Sequence, residues 1–263
     1  MNTISDRFEH ILDFAREYGL PMSKKRAVIR EYLQVKILDS LYRKKIFKNI
    51  YFIGGTSLRL LRGIDRFSED LDFDIPINTQ SEVIDGMTAL ADELRNENIS
   101  VELYKNITAK KSYFELRFTR LLYTLELSSH KEEKLAIKFD YESFWKGHDQ
   151  EVVLLNRYGF LVHVVTINKN QLLTQKIFTY INRKQTMPRD MYDIVWLYSQ
   201  GAKPDFEFMK KNSISQDMIS QAQTKLCQEE KKLTQYEIKL QPFLIHEKYV
   251  DKIRMLSEIL QKL

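Results

Sequence analysis

Three aspartates at every second position follow a glycine pair in this 263-residue chain. The aspartates are Asp70, Asp72 and Asp74, and the pair is Gly54-Gly55. In an extended strand, side chains two residues apart point to the same face, so the three carboxylates would share one patch. Like charges this close repel unless a cation lies between them, and hard divalent cations prefer oxygen ligands. The spacing therefore predicts a metal site on a strand.

The glycine pair and the two hydroxyl residues after it are suited to binding an anion. Gly54 and Gly55 allow the backbone to approach a ligand closely. A helix that starts beside Thr56 and Ser57 offers N–H groups and hydroxyls to a phosphate. The segment is neither a Walker A loop nor a dinucleotide-binding turn, because it lacks both glycine motifs. A phosphate cradle followed by an acidic metal site is the layout of phosphoryl or nucleotidyl transfer.

A further carboxylate is expected from a neighbouring strand. Asp140 ends a strand-like run and alternates with Ile137 and Phe139, so it points away from the apolar side. The sequence is equally compatible with Asp140 as a solvated charge at a strand end, and Glu142 is the alternative third carboxylate.

Hydrophobic periodicity assigns these residues to secondary-structure elements. The predicted strands are 51–53, 70–75, 101–104, 112–118, 135–141, 152–155 and 161–166. The predicted helices cover the first 47 residues, then 57–62, 81–98, 171–183, 189–199 and 205 to the C-terminus, with a break at residues 201–204. This order, with helices first, strands and helices in the centre and helices at the end, predicts an α+β fold. The catalytic core would cover residues 1–168 and a helical bundle residues 169–263.

Composition excludes several classes of protein. A hydrophobic content of 43% with 12% aromatic residues excludes global disorder, and the net charge of +5 is compatible with a polyanionic partner. The single cysteine, Cys227, excludes an intramolecular disulfide and a cysteine-based zinc site. The five histidines are scattered, which argues against a histidine metal site. The N-terminus lacks the layout of a signal peptide and no long apolar stretch occurs, so we expect a cytoplasmic protein without a membrane partner.

One basic stretch with aromatic residues allows two interpretations. It could contact a nucleic-acid backbone, or it could be the polar face of a half-buried hairpin. Its members are Tyr104, Lys105, Lys110, Lys111, Tyr113, Arg117, Phe118 and Arg120.

The two motifs together resemble those of a known family. In this chain a short strand is followed by Gly-Gly-Thr-Ser-Leu-Arg-Leu, which starts at Gly54, and then by Arg-Phe-Ser-Glu-Asp-Leu-Asp-Phe, which starts at Arg66. The segment resembles the corresponding motifs of the AbiEii-type nucleotidyltransferases. These belong to the DNA polymerase beta-like superfamily and include abortive-infection and type IV toxin–antitoxin toxins. The resemblance implies a polymerase-beta-like nucleotidyltransferase core, with Asp70-x-Asp72 as the metal site.

The resemblance continues downstream, over about residues 24 to 200. The family has a lysine, an arginine and an Arg-Asp-x-x-Asp element on successive helices, and this chain has Lys176, Arg183 and Arg189-Asp190-Met191-Tyr192-Asp193. By analogy Lys176 contacts the nucleotide triphosphate, and Asp190 or Asp193 completes or braces the site. The sequence is also compatible with both aspartates only stabilising a helix. The resemblance further implies that the helical domain contributes Lys176 and the 189–193 element to the site.

The residues and the resemblance together predict an Mg²⁺- or Mn²⁺-dependent nucleotidyltransferase. It would transfer a nucleoside monophosphate from an NTP to an acceptor, for which we expect RNA such as tRNA, as a toxin with a cognate antitoxin. The predicted metal ligands are Asp70, Asp72 and Asp140, and Asp140 would also help to deprotonate the acceptor. The predicted nucleotide-binding residues are Gly54, Gly55, Thr56, Ser57, Arg66 and Lys176. The alternatives are an inactive nucleotide- or RNA-binding protein that acts by occupancy, and a small-molecule nucleotidyltransferase.

Overall fold

The computed structural model describes residues 4–77, 79–107 and 112–263 and divides the chain into two compact units. The first unit comprises Met1–Arg62, Phe67–Ser143 and Val152–Thr166. The second unit comprises Gly63–Arg66, Phe144–Glu151 and Ile167–Leu263. The sequence-based domain boundary between 168 and 169 stays a prediction.

The first unit combines helices with a mixed sheet. Its helices are α1 (Phe8–Glu17), α2 (Lys25–Arg43), α3 (Gly54–Arg62), α4 (Gln80–Asn96) and α5 (Leu121–Thr124). The strands are β1 (Tyr51–Ile53), β2 (Leu71–Asp74), β3 (Val101–Ile107), β4 (Ser112–Phe118), β5 (Leu135–Glu142), β6 (Gln150–Arg157) and β7 (Phe160–Ile167), although residues 150–151 and 167 are assigned to the second unit. The last two strands pair with each other as a separate two-stranded sheet.

The five-stranded sheet has the order β1-β2-β5-β4-β3. Only the β2–β5 pair is parallel; the others are antiparallel. A parallel pair needs a long crossover connection, and here α4, β3 and β4 lie between β2 and β5 along the chain. The mixed sheet therefore brings together two strands that are about 60 residues apart.

One face of the sheet is the apolar core of the first unit. Phe73 of β2 and Phe139 of β5 stack with ring centroids 4.2 Å apart, and both rings contact Phe47 edge-on. Aromatic pairs in these geometries add to the stabilisation from burial. The four apolar residues predicted at every fourth position of α2 are fully buried, namely Ile29, Leu33, Ile37 and Leu41. Polar side chains alternate with the apolar ones and lie on the other face.

The second unit is helical. Its helices are α6 (Lys169–Asn182), α7 (Pro188–Ser199), α8 (Phe206–Lys211), α9 (Met218–Glu229), α10 (Leu233–Leu240) and α11 (Leu256–Lys262). Short 3-10 segments connect the last of these helices. Asn168 caps α6 by accepting a hydrogen bond from the Gln171 backbone at 2.9 Å. Pro188, whose missing N–H is harmless at a first helical position, begins α7.

The predicted α+β class with a mixed sheet is confirmed, whereas several element boundaries differ from the structure. The strand predicted over 101–104 extends to Ile107, and the stretch predicted as helical from residue 205 is divided into α8 to α11. The helix predicted from Ser57 already begins at Gly54, so the glycine pair forms its first turn. The strand predicted from residue 70 begins at Leu71, so Asp70 directly precedes β2. No helix in the described part of the chain is long and apolar enough to cross a membrane.

Candidate active site

Gly54 lies directly against the Asp72 carboxylate. Its φ angle is +74°, which glycine adopts at no steric cost. A Cβ atom on Gly54 would lie 2.1 Å from Asp72 Oδ2 and 2.8 Å from Asp72 Cβ. The antiparallel pairing of Ile53 with Asp72 brings the end of β1 to this point of β2. The start of α3, with N–H groups that have no partner within the helix, is therefore adjacent to one of the predicted metal ligands.

The hydroxyls of Thr56 and Ser57 bond to backbone carbonyls. Thr56 is fully buried, and its Oγ1 donates to the carbonyl of Asp70. Ser57 Oγ donates to the carbonyl of Gly54 at 2.9 Å. In this conformation both hydroxyls stabilise the turn, so contact with a phosphate would use backbone N–H groups, as at other helix N-termini. Nucleotide binding by Gly54, Gly55, Thr56 and Ser57 stays a prediction.

Buried polar residues of α2 hold the segment that leads to Asp70. The amide of Gln34, which is 1% exposed, donates to the carbonyls of Ser68 at 3.1 Å and Glu69 at 2.9 Å. Glu31 of the same helix forms a buried ion pair with Arg59 of α3, with 2.7 Å between Oε2 and Nε. No motif in the sequence identified these positioning residues. Their signal was polar residues inside an otherwise apolar helix pattern.

Asp72 and Asp140 are register partners on the parallel strands β2 and β5. Adjacent strands lie about 4.8 Å apart, so partners on one face place their side chains close together. Asp140 accepts a hydrogen bond from Lys138 Nζ at 2.6 Å, and both residues are partly buried. The Lys138 ammonium balances the charge of Asp140 here. Asp140, rather than Glu142, is the residue that is paired with Asp72.

Asp74 and Glu142 are the next register pair along the same strands. Asp74 is fully buried, whereas Asp72 is partly exposed. Desolvation and the negative charges of Asp74 and Asp140 raise the pKa of Glu142. These carboxylates form an acidic group at one end of the polar sheet face, and Asp72 is the member that contacts the glycine turn.

The acidic group fits a metal that uses few protein ligands. Within residues 4–77, 79–107 and 112–263, no three or more His, Cys, Asp or Glu side chains form a preformed metal cage. Mg²⁺ is usually held by one or two carboxylates together with substrate phosphates. The pair of Asp72 and Asp140 beside the glycine turn suits that mode, and Asp70 as a third ligand stays a prediction.

In the second unit, Asp193 is the centre of a buried ionic cluster. Arg66 binds its carboxylate with two bonds, from Nε at 2.6 Å and Nη2 at 2.7 Å, and Lys176 Nζ lies 2.8 Å away. Lys176 also contacts Asp190 at 3.1 Å, and Arg183 Nε lies 2.8 Å from the other Asp190 oxygen. All of the Arg-Asp-x-x-Asp carboxylates predicted from the resemblance are thus paired with cations.

Burial and charge act in opposite directions within this cluster. Burial would raise the pKa of Asp193, but the charges of Arg66 and Lys176 lower it below its usual value. Burial would lower the pKa of Lys176, but Asp193 and Asp190 raise it. Arg66 is 1% exposed, so its guanidinium is committed to Asp193 in this conformation. The geometry favours a bracing role for Asp193, and direct nucleotide contact by Arg66 and Lys176 stays a prediction.

The basic stretch of the sequence analysis is divided between the two faces of the sheet. Tyr104, Tyr113 and Arg117 lie on the polar face, in register with Glu115, Asp140 and Ala136. Lys105 pairs in register with Phe114 and donates to Thr88 Oγ1 of α4 at 3.0 Å, so it lies on the other face. Arg120 adopts a left-handed conformation before α5. Lys110 and Lys111 lie outside the described residues.

Comparisons with known proteins agree with this fold. The family model "Nucleotidyl transferase AbiEii toxin, Type IV TA system" matches residues 36–258. The nucleotidyltransferase toxin MenT4 of Mycobacterium tuberculosis superposes with a TM-score of 0.59 at 15% identity, over 96% of this chain and 90% of that chain. JHP933 of Helicobacter pylori superposes with a TM-score of 0.55 at 16% identity, over 92% of each chain. No curated protein sequence matches the chain significantly.

The fold and the family model define the class of this protein. At these identities the solved structures show a shared fold, which is the nucleotidyltransferase fold. The protein is an enzyme of the nucleotidyltransferase type. It belongs to the AbiEii family of nucleotidyltransferase toxins, because the family model covers most of the chain. Membership implies NTP-dependent nucleotidyl transfer as a toxin, with an antitoxin partner.

Replacing Gly54 by alanine is expected to reduce transfer at least about 100-fold, through displacement of the Asp72 carboxylate. Two effects combine in Gly54→Ala: the positive φ angle strains any residue with a Cβ, and the new Cβ overlaps Asp72. Gly19→Ala is the matched control, since Gly19 has a φ angle of +69° and its virtual Cβ has no non-neighbouring atom of the described residues within 4 Å.

Activity and melting temperature should both be measured for the two glycine variants. The control should lose about 1–2 kcal/mol of stability from strain and keep its activity. Equal activity losses in the two variants would show that strain, and not the contact with Asp72, explains the effect.

Proposed function

We propose that this enzyme transfers a nucleoside monophosphate from an NTP to a hydroxyl of an RNA acceptor such as tRNA, in a reaction that depends on Mg²⁺ or Mn²⁺. The observation that supports this most directly is the contact of Asp72 with the Gly54 turn, with Asp140 as its register partner. The contact joins an anion-binding helix start to a pair of carboxylates, which is what transfer to or from a triphosphate requires.

Residues of the first unit have distinct roles in this proposal. Backbone N–H groups at Gly54, Gly55, Thr56 and Ser57 bind the β- and γ-phosphates. Asp70, Asp72 and Asp140 hold the metal, which when bound supplies charge stabilisation for the phosphates. Gln34 and Thr56 fix the backbone from Ser68 to Asp70 and so keep Asp70 beside the turn.

The transfer step forms one bond and breaks one bond. The acceptor hydroxyl oxygen attacks the α-phosphorus in line, its proton passes to Asp140, and the bond from the α-phosphorus to the bridging oxygen breaks. Pyrophosphate leaves with the electron pair of that bond. Before this step Lys138 must release Asp140, because the ammonium group occupies the carboxylate in this structure.

The family motif extends the proposal to the second unit. We include Lys176 as a residue that offsets phosphate charge, with Asp190 and Asp193 completing or bracing its position. The support is the order of Lys176, Arg183 and the Arg-Asp-x-x-Asp element in the chain. Catalysis is assigned to a core over 1–168 and support to a bundle over 169–263.

Transfer is tested by incubating the full chain with each of the four α-³²P-labelled NTPs, Mg²⁺ and total RNA. We expect label in RNA, none without divalent metal, and none with Asp72→Asn. Expressing the chain without an antitoxin should stop growth, whereas Asp72→Asn should be harmless.

Other results would contradict the proposal. Equal toxicity of the wild type and Asp72→Asn would favour the protein that acts by occupancy. Label that appears in a small molecule and not in RNA would favour the small-molecule nucleotidyltransferase.

A further inference from the structure

The polar face of the five-stranded sheet changes from acidic to aromatic across its strands. Register pairs form one row from Asp72 on β2 through Asp140 on β5 to Tyr113 on β4. The next row joins Lys138 of β5, Glu115 of β4 and Tyr104 of β3. Since these positions share one face, the acidic pair and the two tyrosines belong to one continuous surface.

Two tyrosines and two cations form what we call the tyrosine strip: Tyr104, Tyr113, Arg117 and Lys138. Lys138 Nζ lies 4.5 Å from the centroid of the Tyr113 ring, and Arg117 Cζ lies 4.6 Å from that of Tyr104. The ring centroids are 6.2 Å apart with 41° between the ring planes. Tyr104 is 42% exposed, so much of its surface is accessible.

We propose that the tyrosine strip stacks an unpaired base of a single-stranded nucleic-acid acceptor. Aromatic side chains on a sheet face bind bases without requiring a particular sequence, because every base has a π-face. Arginine and lysine beside the rings add cation–π attraction. The proposal rests on the proposed function, because it assigns the strip to the acceptor of that reaction.

The order of the strands distinguishes the acceptor from the NTP. Gly54, at the end of β1, lies on one side of the Asp72–Asp140 pair, and Tyr113 lies on the other. If the triphosphate is bound at Gly54, the opposite side is where the attacking hydroxyl must approach for in-line transfer. A base on Tyr113 therefore belongs to the strand that supplies this hydroxyl.

The charges of the strip favour stacking over phosphate binding. Lys138 is paired with Asp140, and Arg117 Nη2 lies 2.9 Å from Glu115 Oε2. Balanced cations release few counterions, so binding at the strip should depend only weakly on salt. A groove that follows the phosphate backbone would instead lose affinity steeply as salt rises.

The test measures binding of a fluorescein-labelled single-stranded oligoadenylate of about 12 nucleotides, by anisotropy, without NTP or metal. Tyr104→Leu and Tyr113→Leu should each weaken binding about tenfold, whereas the two Tyr→Phe variants should stay within about twofold. Tyr123→Leu is the matched control, since Tyr123 is 41% exposed with Lys131 Nζ 5.2 Å from its ring centroid. The wild type should bind the same strand weakly when its bases are removed.

Kinetics then assigns the base to one substrate. The leucine variants should raise KM for the RNA acceptor and leave KM for the NTP unchanged. A raised KM for the NTP alone would assign the base to the incoming nucleotide. Equal binding of the normal and abasic strands by the wild type, or unchanged binding in the leucine variants, would overturn the proposal.

The two proposals fail in different ways. If the wild type has no transferase activity but the leucine variants lose oligonucleotide binding, the proposed function is wrong and the tyrosine strip remains a nucleic-acid site. If the wild type is an active transferase and the leucine substitutions change neither binding nor KM, the proposed function holds and the tyrosine strip is not a nucleic-acid site.

Discussion

Asp72→Asn is expected to lower nucleotidyl transfer at least about 1000-fold, equivalent to about 4 kcal/mol in barrier height. Asparagine has the shape of aspartate, so packing against Gly54 is retained, while the neutral amide is a much poorer ligand for Mg²⁺. Single-turnover transfer of labelled NMP at saturating Mg²⁺ measures the effect. Thermal unfolding checks that the fold is intact.

Asp74→Asn is the matched control for Asp72, two residues away on the same strand face. Asp74 is fully buried and in register with Tyr51 and Glu142. It lies two residues further along β2 from the Gly54 turn than Asp72 does. We expect Asp74→Asn to lose at least about tenfold less activity than Asp72→Asn. Asp140→Asn should lose about as much activity as Asp72→Asn. An inactive Asp74→Asn beside an active Asp72→Asn would move the metal pair to Asp74 and Glu142.

Asp193→Asn is expected to destabilise the protein by about 3–5 kcal/mol at pH 7. The change leaves Arg66 buried without its bidentate partner, and an uncompensated buried charge is costly. Because the pKa of Asp193 is lowered in the folded protein, its contribution is present above the unfolded value of about 3.9 and is lost as pH falls below it. The difference in the free energy of unfolding between wild type and Asp193→Asn should therefore be smaller at about pH 3 than at pH 7. Urea unfolding at both pH values measures it.

Two further variants separate bracing from catalysis. Asp92→Asn removes an exposed ion pair with Arg95 and should cost less than about 0.5 kcal/mol. The double variant Arg66→Met with Asp193→Leu should recover part of the lost stability, because it removes both members of the buried Arg66–Asp193 pair. If Asp193→Asn costs no more than Asp92→Asn and yet abolishes transfer, Asp193 acts on substrate and does not brace the cluster.

Local patterns in the sequence were sufficient for most of the secondary structure. The spacing of Ile29, Leu33, Ile37 and Leu41 identified α2, and alternation identified the strands of the sheet. These signals are local because the helical and strand periods are set by backbone geometry. Boundaries were less well predicted: α3 begins at Gly54, where the backbone lies against Asp72, a contact that no local pattern encodes.

The sequence by itself determined the chemical types at the site, namely a glycine turn, alternating carboxylates and a downstream Lys…Arg…Arg-Asp-x-x-Asp order. Only the tertiary structure decided which of them meet. Parallel pairing of β2 with β5 made Asp140 the partner of Asp72, and the same sheet placed Tyr113 beside Asp140. Folding of the second unit likewise joined Arg66 to Asp193, 127 residues apart. The physical reason is that periodicity sets which face a side chain takes, whereas the order and register of strands follow from long-range packing.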